Sequence, residues 1–192
     1  MKEKLSRSIR LAKYIFYKET FIDIKEYFWT FLGSFLGIGL ITLLQSGYLP
    51  ISDNVFLIGS FGASSVLVYG AINSPLAQPR NLLGGHIISA TIGVSINLLL
   101  SQNILLAAPL AVSLSIVAMQ CTKTLHPPGG ATALIAVIGS PSVINLGYWY
   151  ILFPVMSGAA ILFLTALITN NLTKSRKYPT KQVSFKKYFR ND

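Results

Sequence analysis

The chain predicts an all-α polytopic membrane protein with six transmembrane segments, built as an inverted 3+3 repeat whose middle helices are interrupted. Three observations carry that expectation. Hydrophobic residues make up 52% of the 192 and charged residues only 11%, where soluble chains run at roughly 25% charged. Between Trp29 and Thr173 the only formal charges are Asp53, Arg80 and Lys123, too few for a soluble surface. The apolar segments also fall into two sets of three, separated by a constant offset.

The elements follow in order. Residues 1–27 form a cytoplasmic segment. From 5 to 27 it mixes Ile9, Leu11, Ile15, Phe16, Phe21 and Ile24 with lysines and arginines, the pattern of a basic amphipathic helix lying on the inner leaflet. Four runs are apolar enough to span unaided: Phe28–Leu49, Leu82–Leu100, Ile104–Gln120 and Tyr148–Thr169, against a requirement of about 20 residues. Val55–Ile72 and the stretch from Gly129 to about Leu146 are marginal. The first run has no small-residue cleavage site before it, so no cleaved signal peptide is expected. Residues 171–192 read as a polar, basic, mobile cytoplasmic tail.

Charge asymmetry sets the topology. Seven lysines and arginines precede the first run and seven follow the last, so both termini are expected in the cytoplasm and the number of crossings is even. Four crossings would leave Arg80 and Lys123 outside. Six place all sixteen basic residues inside, and six is the expectation, in the cell membrane. Tyr48 and the Tyr148-Trp149-Tyr150 cluster then sit at the outer interface and Phe28-Trp29 at the inner one. The net charge of +10 is explained by this rule. It predicts attraction to anionic lipid and gives no reason to invoke nucleic acid.

The offset is 68 residues: Gly62-Ala63-Ser64-Ser65-Val66-Leu67 matches Gly130-Ala131-Thr132-Ala133-Leu134-Ile135. The same shift carries Phe28–Leu49 onto a window overlapping Ile104–Gln120 and Leu82–Leu100 into the last run. The repeats are therefore residues 28–101 and 104–170. Three being odd, the second enters the membrane from the opposite face. In such folds interrupted middle helices tend to mark the substrate site.

The middle helices carry the candidate chemistry. Pro127 and Pro128 cannot extend a preceding helix, and Gly129 and Gly130 are expected to leave the next helix's first N–H groups bare. A break is likewise expected near Gly62. Two such positive helix ends, with the hydroxyls of Ser64, Ser65 and Thr132, would suit a small anion without a trapping buried cation. Close helix packing through small residues is the plainer alternative. His86, inside the third segment, and His126, at the mouth of the fifth, are ionisable groups at membrane depth. Each could also be an interhelical hydrogen-bonding group. Asn97 could line a path or glue helices. Arg80, in the proline-framed loop Asn73–Asn81, and Lys123 would concentrate anions at the cytoplasmic mouth.

With two histidines and no intramembrane carboxylate, a metal is not expected, since zinc wants at least three ligands. No other cofactor and no enzymatic activity are expected. Cys121, the single cysteine, reads as a small apolar filler.

Three motifs in order, Pro75-Leu-Ala-Gln-Pro-Arg-Asn81, Gly84-Gly85-His86 and His126-Pro-Pro-Gly-Gly-Ala-Thr-Ala-Leu134, resemble the HPP family of integral membrane proteins, named for the His-Pro-Pro. The resemblance covers roughly residues 25–170. It implies nitrite transport, as ascribed to members in plastids and cyanobacteria. The family is usually described with four transmembrane helices, so six is a departure argued from charge. The expectation is thus a transporter or channel for a small inorganic anion, nitrite first. The alternatives are a neutral small-solute channel and a non-transporting membrane assembly or sensor protein. A six-helix unit this small often forms homo-oligomers.

Overall fold

The computed structural model describes residues 24–47 and 59–180. All regular structure among them is helical. Helix α1 is Ile24–Ser46; α2 comprises residues 59–65 and the π-helical turn Val66–Gly70 that continues them. A short 3-10 turn, Pro75–Ala77, leads to α3, Pro79–Leu100, and then α4, Ile104–Cys121. The second half continues with α5, Pro128–Ile138, the four-residue α6, Pro141–Ile144, and α7, Ile151–Thr169.

The boundaries have local causes. Pro79 and Pro128 each sit in the first turn of their helix, where a missing N–H costs nothing. Asn103 caps α4 by accepting from the Leu106 N–H at 3.2 Å. Gly139 ends α5 and Ser140 with Pro141 starts α6. In α7, Phe153 has φ −139° and ψ 116°, which is extended backbone, so the helix kinks before Pro154.

Four described helices, α1, α3, α4 and α7, are long and apolar enough to cross a membrane. They answer to the four long runs, α1 beginning four residues before Phe28. The marginal segment after Gly129 is split between α5 and α6. At 1.5 Å per residue, α5 reaches only about 16 Å, roughly half of a ~30 Å hydrocarbon core. The outer faces are apolar: Phe31 and Phe35 are each 64% exposed, Leu43 72% and Leu105 88%. A soluble monomer does not tolerate that; a bilayer covers it.

Contacts sort the helix ends into two groups. At one end Glu26 of α1 meets Arg176, Thr30 meets Tyr69, Arg80 meets Thr122 and Tyr178 meets Ala77. At the other, Gln45 reaches the Pro154 carbonyl and Tyr148 bonds Ser95. Residues 122–127 therefore start at the Arg80 end, and the chain through α5 and α6 reaches Tyr148 at the opposite end before α7 returns.

Three expectations need correction or fall outside these residues. The chain does not break at Gly62, which lies within helical residues 59–65; the irregular turn comes later, at Val66–Gly70. A helical glycine with nothing within 4 Å of its would-be Cβ has no reason to break its helix. Nor is the whole tail mobile: Arg176 is 3% and Tyr178 2% exposed, because both find backbone carbonyls on the bundle. Apart from residues 24–27, which belong to α1, the expected interfacial helix at 5–27 lies outside the described residues; Asp53 and residues 181–192 lie outside them too.

Candidate functional site

Five polar side chains from four segments meet in the interior. Ser60 and Ser64, one helical turn apart, share a face of α2. His86 lies two turns into α3, and Thr132 one turn into α5. His126 is set in the loop between α4, which ends at Cys121 as Lys123 turns to φ 57°, and α5, which Pro128 opens. Both imidazoles are fully buried, Ser64 is 0% exposed, and Ser60 and Thr132 are 2% exposed.

One hydroxyl joins the two rings. Ser64 Oγ stands 2.8 Å from His86 Nε2 and 2.9 Å from His126 Nε2, with the ring centroids 5.0 Å apart and tilted 62°. His86 Nδ1 lies 2.8 Å from Thr132 Oγ1, which lies 2.7 Å from Ser60 Oγ. At the far end His126 Nδ1 is 2.9 Å from the Leu76 carbonyl. Phe61 covers His86 at 5.2 Å between centroids, and the Tyr150 hydroxyl donates to the Thr132 carbonyl at 3.0 Å.

The Leu76 carbonyl orders the whole cluster. A carbonyl only accepts, so His126 Nδ1 carries the hydrogen and, in the neutral ring, Nε2 is an acceptor. Ser64 then donates to His126, which obliges His86 Nε2–H to donate to Ser64. His86 Nδ1 must accept from Thr132, and Thr132 can accept from Ser60. All donors point one way, from Ser60 to Leu76. The competing acceptors for the serine and threonine hydroxyls are the Ser60 carbonyl at 3.2 Å and the Pro128 carbonyl, 2.9 Å from Ser60 and 3.4 Å from Thr132.

Ser64 and Thr132, 68 residues apart in the chain, take the two opposite nitrogens of His86. Their partner ring belongs to α3, whose packing on α5 leaves no slack. A Cβ on Gly93 would meet the Ala133 carbonyl oxygen and, at 2.8 Å, its Cα; one on Gly129 would lie 2.6 Å from Ser89 Oγ. On Gly85 a Cβ would meet the His126 Cβ and, at 2.9 Å, the Thr124 carbonyl.

The structure thus brings together His86, His126, Ser64 and Thr132 from the expected set. The N–H groups of Gly129 and Gly130 are not bare: they donate to the His126 and Pro127 carbonyls at 2.8 and 3.0 Å, because the prolines turn those carbonyls back onto the helix start. Gly62, two residues before Ser64 on α2, has nothing within 4 Å of a would-be Cβ. Ser65 Oγ is buried with no hydrogen-bond partner. Asn97 is buried on α3 but lies eleven residues past His86, about 16 Å along the helix. Arg80 and Lys123 are exposed at the loop end, with Arg80 donating to the Thr122 carbonyl at 2.7 Å.

Sequence reasoning missed Ser60, whose signal is its i, i+4 spacing from Ser64. It also missed Leu76, which contributes only backbone. No carboxylate stands beside the cluster: Glu26 is the only one among the described residues, and it lies at the helix ends. No group of three histidine, cysteine or acidic residues gathers among them to hold a metal. Outside the spans, burial pulls the Arg176 guanidinium below its ordinary value, opposed by Glu26. Burial likewise pushes the Tyr178 phenol above the usual range.

Comparison with known proteins matches residues 19–179 to the family described as HPP, transmembrane region. A transmembrane protein of Dictyostelium discoideum is 49% identical over 160 residues, covering 82% of this chain and 51% of its own. A second from the same organism is 48% identical over 160 residues, covering 82% of this chain and 56% of its own. The chain thus spans about half the length of these curated relatives. No solved structure matches it.

Proposed function

The chain belongs to the HPP transmembrane family, and from that premise we propose that it carries a small inorganic anion, nitrite first, across the membrane together with a proton. The observation that supports this best is the pair of imidazoles bridged by one serine hydroxyl, buried with no carboxylate beside them. An anion that displaces the Ser64 hydroxyl meets the His86 Nε2–H. His126 Nε2, then freed, takes up one proton and becomes a second donor to the same anion. Anion and proton enter together, and the protein's charge is unchanged by loading. A carboxylate in this place would repel such a substrate, and a permanent buried cation would hold it too tightly.

We read the fold as six passes, in two inverted repeats. Lys123 and Arg80 share an end with Glu26 and Arg176, as six passes with cytoplasmic termini require. Cysteines introduced at Asn145 and Lys123, both exposed, in a Cys121→Ser background, test this. Asn145 should react with an impermeant thiol reagent outside intact cells, and Lys123 only after permeabilisation. Outside labelling at Lys123 would overturn the six-pass reading.

Purified protein in liposomes tests the activity. Nitrite flux above that of protein-free vesicles, corrected for the neutral acid, should appear with one proton per anion. His86→Gln and His126→Gln should return it to background. Neutral-solute swelling without nitrite flux would favour a solute channel; neither would favour a non-transporting assembly protein.

A further inference from the structure

The segment that follows α7 returns to the bundle and closes over the turn that carries Leu76. Asn170 Nδ2 donates to the Val68 carbonyl at 2.9 Å. The Arg176 guanidinium donates to the Tyr69 carbonyl, to the Glu26 carbonyl and to Thr30 Oγ1, the last two at 3.2 Å. It also pairs with the Glu26 carboxylate at 3.3 Å, with its own side chain 1% exposed. Val68 and Tyr69 belong to the turn that ends α2, where carbonyls lack partners within their helix. Two residues on, the Tyr178 hydroxyl donates to the Ala77 carbonyl at 2.8 Å, and the Thr180 N–H donates to Gln78 Oε1 at 2.9 Å. Asn171 Oδ1 fixes Tyr178 by accepting its N–H at 3.1 Å.

The clamped turn has little structure of its own. Pro75–Ala77 is three residues long, capped by Ser74 Oγ at 3.2 Å from the Leu76 N–H, and Gln78 Nε2 donates to the Ile72 and Ser74 carbonyls at 2.9 Å each. Its one link to the histidines is the Leu76 carbonyl on His126 Nδ1, next in sequence to the carbonyl held by Tyr178. A buried ion pair is an inefficient way to gain stability, because desolvation offsets most of the attraction. Its value lies in fixing one geometry.

We propose that Arg176 and Tyr178 are positioning residues for His126. Arg176 pins the Tyr69 carbonyl at the end of α2 and Tyr178 pins the Ala77 carbonyl, so the 71–78 turn is latched at both ends. Leu76 then holds the proton on His126 Nδ1, and the donors through Ser64 and His86 are ordered. Opening the latch withdraws the one backbone acceptor and lets the His126 tautomer change. The inference rests on the reading of His126 as a working residue, but its test reads no transport.

The chain has two histidines, so 15N labelling of histidine in the full-length protein in lipid nanodiscs yields two separable rings. Wild type should show His126 protonated at Nδ1 and His86 at Nε2. Tyr178→Phe removes one hydroxyl and keeps the ring. It should speed amide exchange at Ala77 and Gln78 about fivefold, the effect of losing one ordinary hydrogen bond, and should mix the His126 tautomers. Arg176→Gln should do both more strongly and Arg176→Lys should restore part of the wild-type signal. If Arg176→Gln does not fold, Tyr178→Phe decides alone. A single His126 tautomer with unchanged exchange in Tyr178→Phe would overturn the latch. So would equal acceleration across α3 and α5, which would mark these residues as packing only. Absence of nitrite flux from wild-type liposomes, the separate test above, would defeat the transport reading and leave the latch, judged by tautomer and exchange alone, standing.

Discussion

Gly93 of α3 faces the backbone of Ala133 in α5, whereas Gly33 of α1 faces the Tyr69 ring, 2.6 Å from a would-be Cβ. Both crossings use a glycine for close approach, but the material across the gap differs. In the α3–α5 crossing it is backbone, which cannot yield without moving a helix. In the α1–α2 crossing it is mostly an aromatic side chain, which yields by turning or sliding. The polar cluster sits at the first crossing, with His86 on α3 and His126 and Thr132 at the head of α5. The second crossing holds a ring, Tyr69 against Gly33 and Gly37, and Phe61 against Gly158 repeats the pattern between α2 and α7. Hydrogen bonds of 2.7 to 2.9 Å between side chains from different helices need helices that cannot slide. Unyielding backbone contact supplies that for the donors; yielding rings suffice where only apolar burial is needed.

The largest effect should come from putting a methyl group into each crossing. Overpacking a tight core costs about 1–3 kcal/mol and sometimes more, with Gly93→Ala at or above the top of that range and Gly33→Ala inside it. The sharper readout is the 15N signal of the two histidines. Gly93→Ala should shift it in whatever protein folds, because α5 must move away from α3. Gly33→Ala should lower thermal stability in detergent and leave the ring signals in place. Equal perturbation of the rings by both variants would erase the distinction between the crossings.

An effect of comparable size separates a bridging hydroxyl from an ordinary one. Ser64→Ala strips a partner from His86 Nε2–H and from His126 Nε2 at once. Leaving buried polar groups unsatisfied costs about 1–3 kcal/mol each. Tyr69→Phe loses one 3.2 Å bond to the Leu162 carbonyl, worth about 1 kcal/mol. Ser64→Ala should therefore be the more destabilising in thermal unfolding, although each variant removes a single hydroxyl. A smaller loss than for Tyr69→Phe would mean that the rings find other partners and the bridge is not what orders them.

The four long helices were legible because about 20 apolar residues without a charge admit few other fates. Both histidines were legible too, since imidazoles at membrane depth invite a reason. The α5–α6 break was legible as a marginal segment but not in place: Gly139 and Pro141 set it, and each is common in membrane helices. The site's direction was not legible, because the group that sets it is the Leu76 carbonyl, which every residue possesses. Nor was the latch. Arg176 and Tyr178 sit among Lys174, Lys177 and Lys181 in a stretch whose composition is that of a solvated tail. Only the three-dimensional return to Glu26 and Ala77 distinguishes them from their neighbours. The bare helix start expected at Gly129 and Gly130 failed for a related reason: sequence shows which N–H groups side chains leave open, and not which carbonyls a proline turn folds back.

The smallest effect belongs to those two adjacent glycines, and it decides where the anion sits. A Cβ on Gly129 would lie 2.6 Å from Ser89 Oγ, 3.0 Å from Met119 Sδ and 3.1 Å from the Gly85 carbonyl. It would push against the α3–α5 crossing. On Gly130 it would meet only Val112 Cγ1, at 3.8 Å, an ordinary contact. Gly130 also lies inside a helix, where alanine is favoured over glycine by roughly 0.5–1 kcal/mol. Gly130→Ala should therefore melt at or slightly above the wild-type temperature, and Gly129→Ala below it. Because the Gly130 N–H already donates to the Pro127 carbonyl, a methyl group there covers no free donor. Nitrite flux in Gly130→Ala liposomes should stay within roughly twofold of wild type, the scatter expected of a change worth about half a kcal/mol. Flux that vanishes in a Gly130→Ala protein of unchanged stability would show that the anion binds at the α5 start. The two imidazoles would then be part of the rigid crossing and not the seat it holds in place.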